Sequence, residues 1–160
     1  MLPEAVANDP FAIALHEHVP DSFVDAEVAV DGPVWEIAAH AIVPVCRHLR
    51  DAGFERISAV TGVDWWPREP RFEVIYLLHS IRMNQRLRLT VRIGENDELD
   101  SITSVWRGAN WYEREVFDLF GIRFRNHPHL ERIMMPADWE GYPLRKDFPT
   151  HGHRYSYRDE

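Results

Sequence analysis

One cysteine, one lysine and no long apolar run set the first limits on this chain of 160 residues. The lone cysteine, Cys46, cannot form a disulfide within the chain, nor build a cysteine-rich zinc or iron–sulfur site there. Such cysteine usage suits a reducing compartment. No stretch approaches the roughly 18 apolar residues of a membrane span; the longest apolar-leaning run, Ile37 to Cys46, is broken by His40 and Pro44. Glu4 stands near the N-terminus and no basic region precedes an apolar one, so no signal peptide is expected and the chain reads as soluble. There is no G-x-G-x-x-G, no P-loop and no H-E-x-x-H. Lys146 is the only lysine; the other 17 basic residues are arginines, whose planar forks suit interfaces, though a genomic bias explains them as well.

What is present is a chain of one domain's length with 45% hydrophobic residues, enough for a core. The formal charge is 18 − 26 = −8, which argues against a nucleic-acid binder. The acidity is concentrated early: residues 1–50 hold 8 acids and 2 bases, residues 111–160 hold 9 acids and 8 bases.

Apolar spacing predicts a helix over Pro10 to Val19, with Phe11, Ala14 and Leu15 inward. A half-buried strand over Ser22 to Val30 would turn Val24, Ala26, Val28 and Val30 to one face. Asp31-Gly32-Pro33 is turn chemistry, and Val34 to Ala38 reads as a second strand. A helix over His40 to Ala52 follows, with Ala41, Val45, His48 and Leu49 on one face and Gly53 as its stop. Strands are expected over Ile57 to Val63, Phe72 to Ser80 (apolar on both faces, hence interior) and Gln85 to Ile93. In the last, Leu87, Leu89, Val91 and Ile93 alternate with Arg86, Arg88, Thr90 and Arg92. The arginine face would meet water or a partner's acidic surface. A final helix runs from Asn110, read as its cap with Glu113 completing a capping box, to Gly121. Arg114 and Asp118 are spaced to pair along its surface. The fold class is therefore α+β: a mostly antiparallel sheet with helices packed on one side, over residues 1–121. Residues 122–160 form an extended, proline-punctuated arm rich in large apolar residues. It either lies in another protein's groove or wraps its own domain; the stiffness of its prolines favours the groove.

No catalytic constellation emerges. His16/His18, His127/His129 and His151/His153 are x-spaced pairs, and Asp138, Glu140 or Asp147 would have to complete a metal site, so exposed loop histidines are the simpler reading. Glu115 and Asp118 share a helix face but suit ion pairing as well as acid–base work. Cys46 reads as a core thiol.

Two segments carry more. Tyr112-Glu113-Arg114-Glu115-Val116-Phe117-Asp118-Leu119-Phe120-Gly121-Ile122 leads to His127-Pro128 and Arg132-Ile133-Met134. Pro143-Leu144-Arg145-Lys146-Asp147-Phe148-Pro149 closes the arm. Together these resemble the C-subunit family of respiratory complex I, the proton-translocating NADH:quinone oxidoreductase (the J-subunit in cyanobacterial and chloroplast enzymes). Val60 to Asp64 and the next two strands are similar to that family as well. Asn126 stands where glycine is common, and His129 where an acidic or polar residue is common.

The resemblance implies a peripheral subunit with no catalytic, cofactor-binding or metal residues of its own. FMN, iron–sulfur clusters, NADH and quinone belong to the assembly, as do electron transfer and proton pumping. The implied partners are the quinone-site subunit (the D-subunit) and other hydrophilic-arm subunits, with membrane contact only through the complex. Its place would be the cytoplasmic face of a bacterial plasma membrane, or the matrix or stroma side in an organelle. Docking is expected from Trp111, Tyr112, Glu113, Arg114, Glu115, Asp118, Phe120 and Gly121, and from Leu144, Arg145, Lys146, Asp147 and Phe148. Energy-converting membrane hydrogenases, the coenzyme F420 dehydrogenase and the ferredoxin-dependent photosynthetic complex use the same module. The rivals outside the family are a stand-alone metal-dependent hydrolase built on the histidine pairs and a regulatory binding module.

Overall fold

The computed structural model describes residues 1–150. Five strands form one sheet in the order β1-β2-β5-β4-β3: β1 is Phe23–Ala29, β2 Gly32–Ile37, β3 Arg56–Asp64, β4 Phe72–Ser80 and β5 Gln85–Ile93. All neighbours are antiparallel except β2 and β5. Helices α1 (Pro10–His18), α2 (Ile42–Asp51) and α3 (Ala109–Phe120) pack with one face of this sheet into a single core. The α+β architecture is as expected. Strands β6 (Glu98–Asp100) and β7 (Arg123–Arg125) form a small parallel pair.

Local chemistry explains most boundaries. Asp9, not anticipated, caps α1 by accepting the Phe11 and Ala12 N–H groups. Pro44 falls in the first turn of α2, where its missing N–H costs little. The arginine strand divides as its alternation requires: Leu87, Leu89, Val91 and Ile93 are buried, while Arg86 and Arg92 are exposed.

Three expectations change. The strand β1 does not bury Val24, Val28 and Val30. A register shift between Phe23 and Asp25 moves Phe23 and Ala26 against the core and leaves Val28 70% exposed on an edge strand. The helix α3 begins at Ala109 with Gly108 as its cap and no capping side chain, so Asn110 and Glu113 form no capping box. And the folded domain runs past residue 121. Ile122 and Phe124 are buried, and β7 pairs with β6, so the arm proper starts after Arg125. Asn126 follows with φ +61°, a left-handed conformation that asparagine and glycine adopt more readily than other residues. His151 and His153 lie outside the described residues.

Candidate functional site

The two signature segments meet where Leu144 and Arg145 donate to the Leu119 and Phe120 carbonyls, and a buried arginine that neither segment contains ties the second to the sheet. Arg71 is 1% exposed. Its Nε and Nη2 donate to the two carboxylate oxygens of Asp64 at 3.0 and 2.9 Å, a forked pair at the end of β3. Nη2 also donates to Asp147 at 2.7 Å, and Nη1 to Glu95 at 2.9 Å. Asp64 further accepts the Lys146 N–H at 2.8 Å and the Trp66 N–H at 3.0 Å. Burial alone would raise the Asp64 carboxyl; the Arg71 fork and the two backbone donors overcome it and bring its pKa down to about 2. The hydrogen bond from Arg71 likewise holds Asp147 below the usual range.

Arg145 closes the clasp. Its Nε donates to the Phe120 carbonyl at 2.6 Å, satisfying a C-terminal acceptor of α3, and Nη1 reaches Glu95 at 3.3 Å. Its guanidinium lies 4.8 Å from the Tyr142 ring centroid and 5.1 Å from that of Phe72. Gly121 ends α3 at φ +76°, and a Cβ there would stand 2.6 Å from Tyr142 and 2.7 Å from Arg145, so glycine is required twice over.

The other signature residues serve the same purpose. Asp118 is fully buried; its Oδ2 accepts the Ile133, Met134 and Met135 N–H groups, and its Oδ1 accepts Arg132 Nη1 at 2.6 Å. Burial would raise this carboxyl, but four donors hold it low. Arg114 pairs with the Glu131 and Arg132 carbonyls, not with Asp118 as expected. Glu113 turns inward, accepting Ser101 Oγ at 2.6 Å and the Ile102 N–H at 2.8 Å, and burial lifts its pKa to about 7. His127 is engaged at both ring nitrogens: Nδ1 accepts the His129 N–H, so Nε2 carries the proton that points to the Asn110 carbonyl. Neither nitrogen keeps a lone pair for a metal in this arrangement.

Of the thirteen residues expected to dock, Glu113, Arg114, Asp118, Arg145 and Asp147 thus spend their side chains inside the chain. Phe120 and Tyr112 pack on the core, and Gly121 is covered by Tyr142. Arg145 is not open to a forked bond with another protein's carboxylate. Trp111 (62%) and Leu144 (52%) are left large, apolar and exposed, beside Met134 (59%), and Glu115 and Lys146 are exposed as well. The sequence-level reading missed Asp64, Arg71 and Glu95. Asp64 and Arg71 are close in the chain, but their other side-chain and arm partners lie 24 to 82 residues away. The one available signal was an arginine set between Pro70 and an apolar strand.

The family model of the respiratory-chain NADH dehydrogenase 30 Kd subunit matches residues 35–154. The chain belongs to this family. A relative from Hyphomonas neptunium, by name the C-subunit of an NADH-quinone oxidoreductase, is 50% identical over 92% of this chain and 74% of its own length. One of the same name from Geobacter sulfurreducens is 40% identical over 91% of each. Among solved structures, a trypsin-resistant fragment of Nqo5 matches at 30% identity and a TM-score of 0.65, over 74% of this chain and 97% of that one. A chain of the membrane-bound sulfane sulfur reductase, an archaeal respiratory membrane complex, matches at 25% identity and a TM-score of 0.72, over 86% and 83%. Both signatures, Arg71 and Asp64 all fall inside the segment matched to the family.

Proposed function

We propose that this chain is a cofactor-free, peripheral subunit of a proton-translocating NADH:quinone oxidoreductase, and that it scaffolds the quinone-site subunit from the cytoplasmic face of the membrane. Its isolated form is non-catalytic. Electron transfer from NADH to quinone, and the proton pumping coupled to it, belong to the assembly with its FMN and iron–sulfur clusters. Family membership and the relatives' names support this reading, as does the absence of any membrane-length apolar helix among the described residues.

The observation that carries the scaffolding role is the clasp. It holds the arm on α3 through the Arg132–Asp118 pair and on the sheet through the Asp147–Arg71 pair, and so presents Trp111, Met134 and Leu144 as exposed apolar side chains on a fixed backbone. Fixed anchors lose little entropy on docking. A tagged chain purified from gently solubilised membranes should bring down NADH:quinone reductase activity, with the quinone-site subunit cross-linked to residues near Trp111 or Leu144. Recovery of the chain free of other subunits would refute the reading. The sulfane sulfur reductase match favours a second reading, the same module in a sister membrane complex. Co-purified activity with ferredoxin or hydrogen in place of NADH would select it.

A further inference from the structure

On the face of the sheet opposite the core, the register sets three side chains in one row. His79 of β4 pairs with Arg56 of β3 on one side and Arg86 of β5 on the other. Paired residues share a face, so two arginines flank one histidine across three strands. Both arginines are exposed, and neither has an ion-pair partner among the described residues. In the next row Leu77, half-buried, pairs with Arg88, whose charge is taken by Asp31. These side chains, with Asp31, line a hollow of about 460 Å³ that carries three arginines and one carboxylate. Toward the other end of the same face, Asp25, Glu27, Glu36 and Glu73 gather around Arg92. The face therefore carries opposite charge at its two ends, and it orients an approaching anion toward Arg56 and Arg86.

We propose that this row receives an acidic segment of a neighbouring polypeptide in the same complex; the proposal rests on the subunit reading above. Arg56 and Arg86 stand two strand spacings apart, roughly 9.5 Å. Two carboxylates two residues apart in an extended segment point the same way roughly 6.6 Å apart, and the long arginine side chains span the remainder. The net charge of −8 opposes adhesion to an extended anionic surface such as a bilayer, whereas single carboxylates reach the hollow without bringing the rest of the chain near.

The test uses the complex purified from membranes. R56E/R86E should weaken retention of the chain on the order of tenfold or more as salt is raised, while R123E, the same charge reversal at a single site elsewhere, should not. R56K/R86K should restore retention. Zero-length carbodiimide coupling should then link one of those substituted positions to an aspartate or glutamate of another subunit. Retention of R56E/R86E equal to wild type would overturn the proposal. So would coupling only to Asp31 of the same chain, or binding of the isolated full chain to phosphatidylglycerol vesicles that R56E/R86E abolishes. If wild type itself fails to co-purify, the subunit reading has failed, and this proposal falls with it.

Discussion

At the scale of single residues, Arg71 and Glu113 show how burial changes what a charge does. Arg71 pairs with three acids, of which only Glu95 has a second arginine partner, Arg145, among the described residues, so Arg71→Ala should cost about 3–5 kcal/mol in urea unfolding. Asp64 adds a pH signature. Its folded pKa, about 2, lies below its unfolded one, so its contribution is present at neutral pH and is lost as pH falls below about 4 toward 2. Glu113 has the opposite sign. Its folded pKa is raised from 4.5 to about 7, so the folded state holds the proton that the unfolded state releases. The contribution of Glu113 to stability should therefore decline as pH rises between those values, by on the order of 3 kcal/mol in all. Glu113→Gln should flatten that decline in melting curves taken from pH 5 to 8; an unchanged slope would place the titrating group elsewhere.

At the scale of elements, alternation was a good guide where a strand is flanked on both sides and a poor one at the edge. The strand β5 lies between β2 and β4, and its pleat is held in register by both. Leu89→Ala should cost about 2–5 kcal/mol in denaturant melts, and Arg88→Ala under about 1 kcal/mol, since its pair with Asp31 is solvent-accessible. The strand β1 has one neighbour, so a register shift is tolerated and two of its valines, Val24 and Val28, face outward. At the end of α3, Gly121→Ala should destabilise by about 1–3 kcal/mol through its positive φ and its crowding of Tyr142. Limited proteolysis should then cut the arm sooner than in wild type.

At the scale of the whole molecule, the arm and the domain stabilise one another. Arg145→Ala should lower the melting temperature of the isolated chain, at a cost of about 1–3 kcal/mol, because it removes two hydrogen bonds and two ring contacts. Trp111→Ala should leave that temperature within a few degrees and instead reduce the amount of chain recovered with membrane complexes. Reversal of the two outcomes would exchange their roles, making Arg145 the partner contact and Trp111 the internal one.

The five strands of the main sheet, the three helices, the inward face of β5 and the family signatures were legible in the sequence because each rests on neighbours a few residues away, whereas the short β6–β7 pair was not. Periodicity reports which side of an element is apolar, and Gly121 reports a helix end. The tertiary structure decided the partners of the charges. Glu113 and Arg114 carried the spacing of surface residues on a helix, yet Glu113 accepts from the loop at Ser101 and Arg114 binds carbonyls of the arm. Asp147 meets Arg71 across 76 residues of chain. Such pairs leave no local pattern, since their geometry exists only once the sheet has brought the ends of β3 and β4 beneath the arm.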